Sequence, residues 1–167
     1  MPPIVRPLED ADLEAVVALN NAAVPAVPTV DRGAMAELVV LASLAVVAEE
    51  VPGHPLGFLL AMDPGVDYDS ENYRWFAARG ADLLYVDRIV VGEDARGAGV
   101  GQRLYRAAFD CAREAGRARV ACEVNLRPEN PGSLRFHGRL GFERVGEQET
   151  KGGSVRVALL EAPVPAA

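Results

Sequence analysis

The sequence predicts a mixed α/β (α+β) fold. Over residues 81–124 an apolar strand, a glycine-rich turn, a helical pattern and a second apolar strand follow one another, which is the order of a βαβ unit. Helical patterns and a strand pair precede this unit, and two short strands follow it. A chain of 167 residues buries one core and is too short for two ordinary domains. We therefore expect a single domain over residues 1–162, with residues 163–167 as a frayed tail.

The composition excludes several classes of function. The formal net charge of -7 leaves no basic surplus to neutralise a nucleic-acid backbone, so we expect no nucleic-acid partner. Cys111 and Cys122 have no Cys-x-x-Cys motif or histidine cluster nearby, which predicts buried free thiols and no metal site. The longest apolar run, residues 38–48, is shorter than the roughly twenty residues of a membrane span, and no signal peptide is visible. These features predict a cytoplasmic protein without a membrane partner.

Hydrophobic periodicity defines the first elements. Apolar positions from Leu13 to Asn20 recur at helical spacing, and Thr29 or Asp31 is suited to cap a second helix. The strand candidates in this half of the chain are residues 4–6, 44–47 and 56–62.

The segment from Asp63 to Gly80 is irregular and rich in both acidic and aromatic residues. Such a segment is suited to hold a cationic or amine-bearing ligand by charge and ring faces. The alternative is a short helix around residues 72–79 that packs Trp75 or Phe76 into the core.

Asp87 and Arg88 interrupt the apolar strand of residues 81–91. An unpaired buried charge is costly, so this pair needs a physical reason. Either the two side chains reach a cleft, or an arginine neutralises Asp87.

The glycine turn after this strand is a candidate anion site. Its residues are Arg96, Gly97, Ala98, Gly99, Val100 and Gly101. The first N–H groups of a helix have no intrahelical partner, and glycines allow a phosphate to approach the backbone closely. Arg96 is suited to contact the same phosphate.

Two other phosphate motifs fit this turn less well. A nucleoside triphosphate loop requires Gly-Lys-Ser/Thr, whereas Gln102 and Arg103 follow Gly101. The dinucleotide fingerprint requires Gly-x-Gly-x-x-Gly, and the glycines here are spaced by two. Glu123 lies where a ribose-binding acid would fall, so a dinucleotide-dependent oxidoreductase remains a remote alternative. A further alternative is a turn that only connects the strand to the helix and binds no anion.

A second dense stretch spans residues 125–142. Asn130 or Ser133 is suited to begin a short helix that includes Phe136 and His137 and ends at Gly141. Two final strands are predicted over residues 142–145 and 155–160.

Together the two stretches resemble the GNAT superfamily of acyl-CoA-dependent N-acetyltransferases. The resemblance rests on Arg-Gly-x-Gly-x-Gly at residues 96–101, on Asn130-x-x-Ser133-x-x-Phe136-His137, and on the closing Leu-Gly-Phe of residues 140–142. It extends over about residues 4–160.

The resemblance implies a GNAT-like mixed, splayed sheet of about seven strands flanked by about four helices. It also implies that acetyl-CoA, as co-substrate, lies where two central strands diverge. The backbone of residues 96–101 would hold the pyrophosphate, and the backbone of Ile89, Val90 and Val91 would pair with the pantetheine arm. The second motif would add cofactor contacts from Asn130, Ser133 and Phe136.

The resemblance also suggests catalytic residues for acetyl transfer to an amine, which requires a base for the ammonium proton. Asp87 matches the position of a glutamate in many relatives and is the first choice for this base, with Glu123 second. Both are alternatively structural ion-pair partners. His137 stands where many relatives carry a tyrosine that protonates the leaving thiolate, so the candidates are imidazolium as the acid or a histidine that only packs. Tyr85 and Tyr105 match no functional residue of the family by their position in the sequence, so the resemblance implies no role for them.

The predicted function is therefore an N-acetyltransferase in which the amine attacks acetyl-CoA directly in a ternary complex. The alternative from another class is a catalytically idle acyl-CoA-binding module, which would leave Asp87 and His137 facing solvent. The acceptor is a small-molecule or peptide amine, and analogy with relatives makes a homodimer possible.

Overall fold

The computed structural model describes residues 1–166 and contains one seven-stranded sheet with five α-helices. The strands are β1 (Ile4–Pro7), β2 (Leu44–Glu49), β3 (Pro55–Met62), β4 (Leu83–Val91), β5 (Arg119–Arg127), β6 (Glu143–Thr150) and β7 (Val155–Pro163). The helices are α1 (Leu13–Ala22), α2 (Arg32–Leu41), α3 (Glu71–Ala77), α4 (Val100–Glu114) and α5 (Pro131–Arg139). The predicted mixed α/β class is confirmed, with five helices in place of about four.

The sheet is split at its centre. Its strand order is β1-β2-β3-β4-β5-β7-β6, and β4 and β5 form the parallel pair among otherwise antiparallel neighbours. These two strands pair only through residues 83–85 and 119–121. Beyond this short contact they separate, so the predicted splayed sheet is confirmed and a fork opens between β4 and β5.

A β-bulge in β4 lies at the start of this fork. Leu60 of β3 is opposite Arg88 and Ala61 is opposite Val86, so Asp87 is the extra residue of the bulged strand. A bulge bends its strand and increases the local twist. It therefore bends β4 just beyond the last residue that pairs with β5.

The sheet separates two buried clusters of apolar side chains. Helix α4 covers one face, and its contribution includes Leu104 and Ala108. Helices α1, α2 and α3 cover the other face with Val16, Met35 and Phe76. Each helix buries its apolar stripe against the sheet, which is the arrangement expected for helices that flank a sheet in an α/β domain.

Several local predictions are resolved by hydrogen bonds. Asp31 rather than Thr29 caps α2, because its side chain accepts a bond of 2.7 Å from the N–H of Ala34. Asn130 rather than Ser133 caps α5. In the irregular segment the helix is present as α3, with Phe76 fully buried.

The frayed tail was predicted to begin at residue 163, which is too early in the sequence. Pro163 is the last residue of β7, and the Val164 N–H donates to the Ala118 carbonyl at 2.8 Å. The Arg113 side chain also donates to the Pro165 carbonyl. These bonds hold residues 163–165 against the domain, while the tail prediction for Ala167 lies outside the described residues.

None of the helices within residues 1–166 combines the length and the apolar character that crossing a bilayer requires.

Candidate active site

The glycine turn forms the predicted nest of amides at the start of α4. Gly97 and Gly99 adopt left-handed backbone conformations, with φ of +82° and +79°, which a side chain would disfavour. The first α4 hydrogen bond runs from the Arg103 N–H to the Gly99 carbonyl. The amides of residues 100–102 consequently have no intrahelical partner and are suited to bind an anion.

Gly101 brings α4 and α5 together. A Cβ added at Gly101 would lie 2.8 Å from the ring of Phe136, so only glycine permits this contact. The turn and α5 line a cavity of about 680 Å³. Arg96, Gln102 and Arg139 supply polar side chains to this cavity, which we call the cofactor cavity.

The fork provides a free strand edge beside the cofactor cavity. On one side β4 pairs with β3 through Ile89, Val90 and Val91, but on the other side it has no partner beyond Tyr85. Ile89 and Val91 line the cofactor cavity. Unpaired N–H and C=O groups at such an edge are suited to pair with an extended arm that carries amide groups.

A second cavity of about 570 Å³ opens on the other side of the fork. We call it the acceptor cavity. Six residues line both cavities and mark the junction between them: Ala23, Ala26, Ile89, Asn130, Ser133 and His137. A molecule in one cavity therefore meets a molecule in the other at this junction.

Asp87 lies in the acceptor cavity and is neutralised there. Its Oδ1 accepts a bond of 2.7 Å from the Tyr68 hydroxyl, and its Oδ2 accepts one of 2.8 Å from Arg88 Nε. Arg88 also donates to the side chain of Asn20 on α1 at 3.0 Å. Both explanations for the charged pair hold, because it lines a cleft and Arg88 balances the charge.

Glu123 has a different environment from Asp87. Both of its oxygens lie within hydrogen-bond distance of the Tyr85 hydroxyl, at 2.7 and 2.9 Å, and within residues 1–166 it forms no salt bridge. Glu123 keeps partial exposure because it lines the acceptor cavity, but protein encloses it closely. Burial and the negative charge of Asp87 raise the pKa of Glu123 to about 8, while the Tyr85 hydrogen bond opposes this increase.

His137 is a buried, neutral imidazole. Its Nδ1 lies 2.7 Å from the Ser133 carbonyl, which can only accept, so Nδ1 carries the hydrogen. Its Nε2 then accepts from the Tyr105 hydroxyl at 2.6 Å. Burial lowers the pKa of His137 below its usual value. The role of His137 as the acid stays a prediction, and this environment disfavours the charged ring that it requires.

Three tyrosines of the site were not identified from the sequence: Tyr68, Tyr85 and Tyr105. Tyr85 had a usable signal, because it precedes Asp87 by two residues on the same strand. Tyr105 lies 32 residues from its partner His137, so no local pattern relates them. Tyr68 belongs to the irregular segment, which also contributes Asp69, Glu71, Asn72 and Arg74 to the acceptor cavity, as one interpretation of that segment predicted.

Both cysteines are free thiols, and Cys122 lines the acceptor cavity. Cys122 is buried, whereas Cys111 is only partly buried, so the prediction of buried thiols is correct for one of the two. Across the described chain, no three His, Cys, Asp or Glu side chains converge as metal ligands.

The site geometry agrees with a comparison of the sequence with protein families. The model of the Acetyltransferase (GNAT) family matches residues 26–142, which is more than half of the chain. The chain belongs to the GNAT family. GNAT proteins use acetyl-CoA, and this membership contradicts the dinucleotide oxidoreductase. The antiparallel strands β6 and β7 also differ from the further parallel βαβ units of which a dinucleotide-binding fold is built.

Individual GNAT proteins are similar to this one at modest identity. The N-acetyltransferase MJ1207 of Methanocaldococcus jannaschii is 31% identical over 109 residues, which cover 65% of this chain and 42% of MJ1207. This chain thus spans about two fifths of the length of that relative.

Solved structures share the GNAT fold over nearly the whole chain. Ard1 from Thermoplasma volcanium has a TM-score of 0.79 at 18% identity, with 99% of this chain and 100% of that chain covered. The acetyltransferase yncA from Salmonella typhimurium, solved with its cofactor acetyl-CoA, has a TM-score of 0.74 at 20% identity, with coverage of 100% and 96%.

Proposed function

We propose that this protein transfers the acetyl group of acetyl-CoA to a primary amine by direct attack within a ternary complex. The observation that carries the proposal is the meeting of two cavities at the fork. One cavity has a nest of free amides, and the other has a carboxylate with a pKa of about 8. Both substrates of an acyl transfer can thereby be held at once, which lowers the entropic cost of bringing them together.

The residues of the cofactor cavity fit acetyl-CoA. The amides of residues 97–101 would hold its diphosphate with help from Arg96, and the free edge of β4 at Ile89–Val91 would pair with its pantetheine arm. The Asn130, Ser133 and Phe136 side chains would flank the same arm from α5. When bound, acetyl-CoA supplies the activated acetyl thioester at the junction.

We assign the role of the general base to Glu123. The sequence had favoured Asp87 first and Glu123 second. An ammonium must lose a proton before it attacks, and a base works best when its pKa is near the working pH. Both oxygens of Asp87 are engaged, and Arg88 balances its charge. Glu123 contacts the neutral Tyr85 hydroxyl and the neutral Asn72 amide, and its pKa is raised to about 8. Asp87 would then act by raising the pKa of Glu123.

We assign His137 a positioning role. Both of its nitrogens are occupied, one by the Ser133 carbonyl and one by the Tyr105 hydroxyl. The ring therefore links α5 to α4 at the junction of the cavities. This arrangement fixes the wall against which the thioester would lie.

The idle binding module is less well supported. It would leave Asp87 and His137 facing solvent. The Asp87 side chain is only 4% exposed, the whole of His137 is 3% exposed, and both residues line the acceptor cavity. An idle module would also have no need for a carboxylate enclosed in the acceptor cavity without a salt bridge to the described residues.

The test is a thiol-release screen of acetyl-CoA with an amine library, run with the wild type, Glu123→Gln and Asp87→Asn at pH 7.5. General-base catalysis typically contributes about 10²–10⁴-fold, so we expect Glu123→Gln to lower kcat by at least about 100-fold while calorimetry gives an unchanged Kd for acetyl-CoA. We also expect intersecting initial-velocity lines, as a ternary complex requires. Equal turnover of Glu123→Gln and the wild type would refute the base assignment. Binding of acetyl-CoA without turnover of any amine would favour the idle module.

A further inference from the structure

We propose that the acceptor is a compact amine enclosed within the acceptor cavity, rather than the end of a peptide chain that continues across the sheet. This inference rests on the proposed function and specifies its acceptor. It follows from contacts that close the cavity on two sides.

The first wall joins α3 to the end of the sheet. Gln148 of β6 donates to the Asn72 side chain at 3.0 Å, and the Lys151 N–H donates to the Glu71 carboxylate at 3.1 Å. Trp75 lies against Gly146 of β6, where an added Cβ would come within 2.8 Å of the indole. Two contacts therefore hold α3 against β6, and a third holds it against Lys151, the residue that follows β6.

The backbone at Lys151 indicates that this wall is specifically held. Lys151 is the one non-glycine residue with positive φ among residues 1–166, at +52°. Such a conformation is unfavourable for a residue with a side chain and persists where surrounding contacts determine it. Here the bond from its N–H to Glu71 supplies such a contact.

The second wall joins the α1–α2 connection to β5. The Asn125 side chain donates to the Pro25 carbonyl at 2.9 Å, across 100 residues of sequence. Residues 23 and 25–28 of this connection line the acceptor cavity, and residues 23 and 26 also line the cofactor cavity. Between the walls, the Tyr68 hydroxyl bonds to Asp87, so the irregular segment is fastened to β4 as well.

These contacts leave no open groove for an extended chain. A bound peptide must satisfy its own N–H and C=O groups, and the side chains that form the two walls, Asn72, Gln148 and Asn125, are already paired. A peptide that continued across the sheet would have to separate α3 from β6 or the connection from β5. The cavity volume of about 570 Å³ lies in the range of small-molecule sites.

The charges in the cavity suit an acceptor with one ammonium group. Asp87 is paired with Arg88, and Asp69 is paired with Arg74. Glu123 remains as the enclosed carboxylate without a cationic partner. An amine that enters the cavity thus meets Glu123 as the enclosed acid, whereas Glu71 is exposed and accepts from the Lys151 N–H.

The experiment compares acceptors that carry the same reactive group, a primary amine, but differ in length. The probes are a set of compact amines, which includes free amino acids, amino-acid amides, diamines and aminosugars, together with pentapeptides that begin with the same residues as the amides. We expect thiol release with at least one compact amine. We also expect kcat/KM for the best compact amine to exceed that for every pentapeptide by at least about tenfold.

A variant tests whether the wall is the cause. Gln148 does not line the cavity, so Gln148→Ala loosens α3 from β6 without removing a cavity side chain. We expect the preference for compact amines to fall at least about threefold through a higher kcat/KM for pentapeptides. The matched control is Glu143→Ala, on the exposed start of the same strand, which should leave the preference unchanged. Circular dichroism verifies that both variants fold.

The outcomes separate this inference from the function on which it rests. Pentapeptides used as efficiently as compact amines would overturn the compact acceptor and leave acetyl transfer intact. An unchanged preference in folded Gln148→Ala would overturn the role of the wall. Acetyl-CoA binding with no turnover of any probe would overturn the proposed function itself, and the inference with it.

Discussion

Glu123 and Asp87 are both carboxylates in the acceptor cavity, and their neighbours give them different properties. Arg88 lies 2.8 Å from Asp87, whereas the Tyr85 hydroxyl is the neighbour of Glu123. A buried acid without a cation favours its neutral form, so its pKa rises towards the working pH. The sequence identified both residues, but it did not contain the tyrosine contacts that distinguish them.

The Tyr85 hydroxyl should tune the base. It donates to Glu123 and thereby stabilises the ionised carboxylate, so Tyr85→Phe should raise the pKa of Glu123 above about 8. Because the base acts when deprotonated, activity should rise with pH through this pKa, and the variant should reach half-maximal kcat at a higher pH. The measurement is kcat against pH from 6 to 10 with a saturating amine.

The matched control for this prediction is Tyr73→Phe. Tyr73 stacks on Tyr85 with ring centroids 5.5 Å apart, but its hydroxyl donates to the Asp63 carbonyl instead of a carboxylate. It should lose some stability without a change in the pH midpoint. If Tyr85→Phe also kept the wild-type midpoint, the hydroxyl would not set the pKa of the base.

Among the elements, those with strong hydrophobic periodicity were predicted closely. The predicted helix from Leu13 to Asn20 is α1, and the strand at residues 56–62 is β3 with one more residue. Strand β6 was predicted to end at residue 145, but it continues to Thr150. Its second half is polar because β6 lies at the sheet edge, where pairing with β7 rather than burial sustains the strand.

The bend of β4 was outside the reach of sequence patterns. It depends on Asp87 being left out of the register between β3 and β4, and register is a property of two strands together. The glycine turn, in contrast, could be predicted from the sequence. Its backbone has positive φ at Gly97 and Gly99, a conformation that favours glycine. Local backbone demands are therefore visible in the sequence, while contacts between distant elements are not.

Gly101 should be essential for the packing of α4 on α5. In Gly101→Ala the new Cβ would lie 2.8 Å from the Phe136 ring, so the ring or the helix α5 that carries it must move. Overpacking of this kind costs about 1–3 kcal/mol, and we expect a lower melting temperature with a KM for acetyl-CoA raised at least about tenfold. Thermal denaturation and initial rates measure the two effects.

Gly138→Ala provides the control for this change. Gly138 also lies in a helix, and a Cβ added there meets no atom within 4 Å. Since alanine favours helix over glycine, this variant should keep its KM and melt slightly higher. An unaltered KM in Gly101→Ala would show that the contact with Phe136 does not shape the cofactor cavity.

At the scale of the molecule, one arginine joins the first strand to the rest of the sheet. Arg6 of β1 binds Asp12 at 2.7 Å and Glu49 of β2 at 2.8 Å, and the pairing lowers the pKa of both carboxylates. Groups with lowered pKa values stabilise the fold above their ordinary pKa, and that stability is lost as the pH falls through the lowered values. The network should therefore stabilise the protein at pH 7 and fail below about pH 4.

Arg6→Met tests this network. We expect the variant to melt below the wild type at pH 7, because two carboxylates lose their cation, and the difference should narrow as the pH falls to about 3. Arg6 is about a quarter exposed, so solvent screening limits the size of the effect. Arg32→Met removes the exposed pair with Asp10 and should change little at either pH. A gap that stayed constant with pH would contradict the ionic origin of the stability.

The central claim concerns the fork between β4 and β5. The bulge at Asp87 bends β4, the bend frees a strand edge, and that edge lies between the two cavities. The most direct test is a crystal structure of the protein with acetyl-CoA. We expect the diphosphate oxygens within about 3 Å of the amides of residues 97–101, and the thioester at the junction beside Ile89 and His137. Acetyl-CoA bound elsewhere, or with its thioester outside the fork, would contradict the account.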